Sequence, residues 1–219
     1  MQKLALLTIS VLLLSNMAFG QRKWKDDFYQ ELTNNDFRDF KLFKKELNPK
    51  KVDYKLLNAA LFFVSNEARL ERGISAVTYD PNLEIMAWNH SVSMAKKDFF
   101  DHVNPKEKKR KNPDQRAALA VIKNPSIGEN ISATGGRSFG NYLELADFLV
   151  DGWIDSPPHR KTLYSEGAVQ LGCGVYFHDG LWQKYKDVYK QGRGFWLATQ
   201  NFQLFTKVKS GSSKDKGPN

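Results

Sequence analysis

Four histidines are the first place to look for chemistry in this chain of 219 residues. Imidazole ordinarily titrates near neutrality, and its uncharged ring can accept a proton or bind a metal. Two of the four have simple structural readings. His90 continues the apolar stripe Leu83, Ala87, His90, Met94, so it is expected as a buried, hydrogen-bonded core histidine. His178 ends a predicted strand beside Asp179, a surface-loop position. His102 and His159 instead fall at element boundaries, where a rigid scaffold presents side chains to a cleft. His159 is the third residue after Ser156, which reads as the N-cap of a helix that opens with Pro157-Pro158. The positive end of that helix disfavours an imidazolium and keeps the ring neutral. Glu129 lies in Gly128-Glu129-Asn130-Ile131, next to an apolar, extended stretch where a surface charge would be out of place. Two histidines and a carboxylate meet the ligand count of a catalytic zinc site. There Glu129 would be a ligand or the general base for a bound water. The residues are scattered and form no H-E-x-x-H, so spacing alone leaves a purely structural reading open.

Nucleophile chemistry has less to stand on. The chain has no G-x-S-x-G elbow, no P-loop and no dinucleotide fingerprint. Ser156 could be imagined in a triad with His159 and Glu129, but a helix cap explains it more simply. The one cysteine, Cys173, alternates with Leu171 and Val175 on one strand face and is expected to be buried without a partner.

The elements that must hold these residues are mostly helical. Leu57, Leu61, Val64 and Ala68 make one helical stripe, with Gly73 as a stop. Asp80-Pro81 opens a second helix, which leads through Phe99-Phe100 to His102. Residues 103–125 contain three prolines and read as a loop around a short helix near Gln115–Val121. Ile127 to Ala133 looks extended. Tyr142, Leu145, Leu149 and Trp153 mark another helix. Val169 to Phe177 alternates as a strand and pairs with a second at Phe195 to Phe202, an antiparallel pair with a long excursion. Gly172 and Gly174 share one face of the first strand, so something should approach its backbone closely there; the segment bearing His159 is the expected neighbour. Helices first and strands few give an α+β fold, with helices covering a small, mainly antiparallel sheet.

The chain ends read differently. Lys3, the apolar run Leu4–Leu14 and Ala18-Phe19-Gly20 form a signal peptide over residues 1–20, too short to span a membrane. Export without a transmembrane anchor is the expectation. Residues 21–52 are a charged, aromatic extension with Trp24, Phe28, Tyr29, Phe37, Phe40 and Phe43. Residues 206–219 are polar and are expected to be disordered. The net charge is +9, with 41% hydrophobic and 26% charged residues, which excludes disorder of the whole chain and a multi-span membrane protein. Lys106–Lys111 alone carries five bases and one acid. Export and the lack of any nucleic-acid motif argue against a nucleic-acid partner and leave an acidic cell-envelope polymer as the sharper reading of the charge.

The order of motifs is more specific than any one of them. Asn66-Glu67-x-Arg69, His90-Ser91…Met94-Ala95, Phe99-Phe100-x-His102, Gly128-Glu129-Asn130-Ile131, Trp153-x-x-Ser156-Pro157-x-His159-Arg160 and Leu171-Gly172-x-Gly174 together resemble the CAP superfamily. That name covers the cysteine-rich secretory, antigen 5 and pathogenesis-related 1 proteins, also called SCP domains. The W-x-x-S-P-x-H-R form is similar to the bacterial branch. The resemblance covers about residues 56–204 and implies a domain over residues 53–205. It implies a three-layer α-β-α sandwich, an extracellular location and a cleft of two histidines and two glutamates that can hold a divalent metal, zinc or magnesium. Carried over by motif, the histidines are His102 and His159 and one glutamate is Glu129, with Asn130, Ser156 and Arg160 as cleft neighbours. The second glutamate position is occupied by Ser156, so the tetrad is incomplete. The expectation is a secreted binding module for a lipid, an acidic envelope polymer or another protein. The alternative is a metal-dependent hydrolase using His102, His159 and Glu129.

Overall fold

The computed structural model describes residues 23–180, 182, 194–207 and 211–219. The signal-peptide reading of residues 1–20 therefore lies outside the described residues. Among the described residues no helix is long and apolar enough to cross a membrane.

Four strands form one sheet in the order β1-β3-β4-β2: β1 (Thr78–Tyr79), β2 (Ile127–Gly135), β3 (Ala168–His178) and β4 (Phe195–Leu204). Only the two-residue β1, which the sequence did not announce, is parallel to its neighbour; β3, β4 and β2 are antiparallel. Residues on each strand alternate between faces. Leu171, Cys173, Val175 and Phe202 face a core formed with α2 (Tyr54–Glu71) and α5 (Tyr142–Asp155). The other face meets α3 (Pro81–Lys97). Helices on both faces of the sheet make the α-β-α sandwich.

The glycines on β3 explain how close that second layer lies. A Cβ on Gly172 would stand 2.0 Å from the backbone nitrogen of Glu84, and one on Gly174 would stand 2.1 Å from that of Trp88. The close approach is real, but its cause corrects the expectation: α3 lies there, not the segment carrying His159. Asp80 caps α3 by accepting from the N–H groups of Asn82 and Leu83, and Asp98 ends it in the left-handed conformation. Cys173 is a free, buried cysteine, as expected.

Residues 23–52 and 211–219 are part of this body. Trp24, Phe37 and Phe43 are buried against Phe63 of α2, and Phe28 and Phe40 are buried against Trp24. Residues 211–219, expected from composition to be disordered, instead lie along α3 and α4 (Pro113–Leu119). The Gly211 N–H donates to the Val121 carbonyl, Asn89 donates to the Lys216 carbonyl, and Asp215 takes both arms of Arg110.

Candidate functional site

The site is built around β2, the edge strand of the sheet. Its Gly-Glu-Asn run serves two layers at once because side chains alternate. Gly128 and Asn130 face α6 (Pro157–Leu163). A Cβ on Gly128 would come within 3.1 Å of Thr162, so the glycine lets this helix settle on the strand. Asn130 donates from its side chain to the His159 carbonyl at 3.1 Å, which fixes the first turn of α6. Trp153 donates to the Ile131 carbonyl at 3.0 Å, and Arg160 to the Ile154 carbonyl at 2.8 Å, tying α5 and α6 to the same edge.

Glu129 points the other way. Its side chain is 3% exposed, and both oxygens are engaged. Arg116, on α4, donates to Oε1 at 2.9 Å and to Oε2 at 2.8 Å. His102 donates from Nδ1 to Oε1 at 3.0 Å. With its amide oriented to suit both neighbours, Asn201 donates to Oε2 at 3.0 Å and accepts from the Ala87 N–H at 3.1 Å. Burial alone would raise the Glu129 pKa. The His102 hydrogen bond and the nearby His90 and Arg116 outweigh it and hold the group below the usual carboxylate range.

Arg116 also organises the approach to the site. Its Nη1 donates to the carbonyls of His102, Arg110 and Lys111 at 3.0, 3.3 and 3.2 Å. One buried guanidinium thus joins the carboxylate to both ends of the loop that carries His102. The buried Phe99 anchors the start of that loop. Sequence reasoning missed both Arg116 and Asn201. The available signal for Arg116 was a cation set directly before Ala117 on a short helix, with Ala117 and Ala120 both buried.

Residues 62–202 match the cysteine-rich secretory protein family, CAP. The chain belongs to that family. Within the curated proteins it is 29% identical over 112 residues to YlbC of Bacillus subtilis, an uncharacterized membrane protein, covering 51% of this chain and 29% of YlbC. It is 22% identical over 119 residues to YkwD of the same organism, covering 54% of this chain and 42% of YkwD. The chain thus spans less than half the length of these relatives. A solved extracellular SCP-domain protein from Bacillus anthracis superposes with a TM-score of 0.54 at 24% identity, covering 72% of this chain and 44% of that one, and so shares the fold.

In this CAP domain the pKa values of His102 and His159 are shifted in opposite directions. The Glu129 hydrogen bond raises His102 above its ordinary pKa, although the ring is 47% exposed. His159 is lowered, first by burial and then by His102 itself, so the two rings stand within electrostatic reach of one another. The expected neutrality of His159 holds, but desolvation and a neighbouring histidine are its causes rather than the helix terminus. His90 is fully buried, and its Nε2 lies 3.0 Å from the Asp101 carbonyl. Burial pushes its pKa down to about 4, which leaves it a neutral core residue.

These contacts also revise two expected roles. Ser156 occupies the N-cap of α6, but its side chain makes no cap hydrogen bond. Pro158, at the second position of the helix, carries no N–H, which leaves only the His159 N–H of the two donors an N-cap side chain accepts from. Glu129 is not arranged as a metal ligand or base. Its oxygens are taken up by Arg116, His102 and Asn201, and no group of three His, Cys, Asp or Glu suited to a metal is gathered among the described residues. What the described residues of this site offer a divalent ion is two imidazoles, one of them biased towards its cation. This does not fit the three protein ligands of a catalytic zinc site.

Proposed function

We propose that this chain is a secreted CAP-domain binding module of the cell envelope, with the cleft between His102 and His159 as its ligand site. One observation carries the reading: Glu129 is held as a buried carboxylate by Arg116 while it raises the His102 pKa, and His159 is lowered beside it. The cleft therefore pairs a proton-rich imidazole with a neutral one. It gives an anionic or hydroxyl-bearing ligand one strong donor and one acceptor. The hydrolase reading asks Glu129 to take a proton from water, and Glu129 is saturated and of low basicity. Ser156 stands where a second carboxylate would be. Export is supported by residues 1–20 and by the extracellular SCP-domain protein that shares the fold.

The test uses the intact domain with its imidazoles labelled with 15N, titrated with soluble glycan fragments of a bacterial cell wall. His102 and His159 resonances should move, while His90 stays fixed and the fragments remain uncleaved. Absence of any movement, or chelator-sensitive cleavage of the fragments, would overturn the reading in favour of no cleft ligand or of the hydrolase respectively.

A further inference from the structure

The loop that leaves His102 carries more positive charge than the fold uses. Its ends are pinned together: the Asn104 N–H donates to the Lys111 carbonyl at 2.8 Å, and Arg116 grips the carbonyls of His102, Arg110 and Lys111. Inside the loop the Asn104 side chain accepts from the Lys106 N–H at 2.9 Å, and Lys108–Arg110 forms one 3-10 turn. The loop is therefore held in one shape by its own backbone.

Two of the acids around it, one in the loop and one from the C-terminal segment, are already occupied. Glu107 pairs with Lys97 at 2.7 Å and with Arg110 at 3.3 Å. Asp215, from the C-terminal segment, takes the Arg110 guanidinium. That leaves Lys106, Lys108, Lys109 and Lys111, all exposed and none in an ion pair among the described residues. Four like charges on a pinned loop repel one another, a cost that a solvated surface usually avoids by mixing signs. A partner with repeated negative charge removes that repulsion and releases counterions.

We infer that the 103–112 loop is a docking surface for a linear anionic polymer, which it leads towards His102 at its base. This rests on the cleft reading above and names the class of ligand. The chemistry of the patch favours a polymer over a membrane. Val103 is the only large apolar side chain exposed on the loop, so there is little to enter a bilayer. Lysines act as point charges and suit a flexible chain of spaced anions better than one bidentate group.

The experiment measures binding of polygalacturonate to the exported chain at low and physiological salt. Two variants of equal charge are compared. One replaces Lys106, Lys108, Lys109 and Lys111 with Gln. The other replaces Lys41, Lys45, Lys50 and Lys51, an exposed basic group on the N-terminal extension. The loop variant should bind at least about tenfold more weakly with a shallower salt dependence, and the control should lose less than about twofold. Equal losses would mean that net charge alone acts, and they overturn the proposal. So would wild-type protein that ignores polygalacturonate, or that binds phosphatidylglycerol vesicles and not the polymer. A loop-dependent interaction with unmoved His102 and His159 resonances would sustain the docking surface and refute the cleft reading, which keeps the two failures separate.

Discussion

At the scale of single residues, the site depends on a buried ion pair and on the proton it places. Arg116 and Glu129 are 2% and 3% exposed. Removing one member of such a pair strands the other without water, which typically costs about 3–5 kcal/mol. Arg116→Met should lower stability by that order in urea melts, and it should also free the loop that carries His102. Unchanged stability would mean that water replaces the guanidinium. Glu129→Gln asks a different question. The carboxylate is what raises His102, so the substitution should bring the His102 pKa down, as read from imidazole chemical shifts against pH. His90, whose Nε2 lies 3.8 Å from the same carboxylate, loses that support as well and should move further down from about 4, staying neutral. A His102 pKa that stayed raised in Glu129→Gln would assign the shift to some other group.

At the scale of elements, hydrophobic patterning guided well wherever burial has a period. The stripe from Leu57 to Ala68 became α2, Asp80-Pro81 opened α3, and the alternation from Val169 to Phe177 became β3. The contacts that decide chemistry have no period. Arg116 reaches Glu129 from a seven-residue helix, and Asn201 reaches it from the neighbouring strand register, so neither was legible along the chain. Motif order singled out His102, His159 and Glu129, and His102 does meet Glu129, but the engagement of both Glu129 oxygens was not legible. The glycines of β3 lie between these cases: two on one face announced a close neighbour without naming it. With α3 in place the consequence is specific. In Gly174→Val the new Cβ would fall 2.1 Å from the Trp88 backbone, which no rotamer change relieves. The helix would have to move, so the loss should reach or exceed the ~1–3 kcal/mol of ordinary overpacking. A thermal midpoint equal to wild type would show that α3 does not pack there.

At the scale of the whole molecule, the N-terminal extension lies outside the 62–202 family match yet completes the core. Phe37 is fully buried against Phe63, so Phe37→Ala should cost about 3–5 kcal/mol in urea melts. Arg38, which bridges Glu67 and Asp147 at a half-exposed position, should cost about 1 kcal/mol or less when replaced by Ala. If the two losses were equal, the extension would be held by charge rather than by its rings. The same extension closes a buried carboxylate. Glu84 of α3 is 5% exposed and is held by Tyr29 from the extension, Tyr79 from β1 and Asn58 from α2. Four parts of the chain meet at this one group. Burial raises its pKa from 4.5 to about 7, and the three hydrogen bonds only partly offset the rise. A carboxyl group with a raised folded pKa binds its proton more tightly in the native state than in the unfolded chain. Its contribution is therefore complete below about pH 4.5 and is lost as pH rises towards 7, reaching about 3 kcal/mol at 1.36 kcal/mol per unit of pKa. Glu84→Gln keeps the shape and removes the titration, since its amide can still donate to a tyrosine hydroxyl as the protonated acid does. Between pH 5 and pH 8 the stability of wild type should therefore fall relative to Glu84→Gln by about 2–3 kcal/mol. Parallel stability curves across that range would place the proton elsewhere and refute the buried-acid account of this junction.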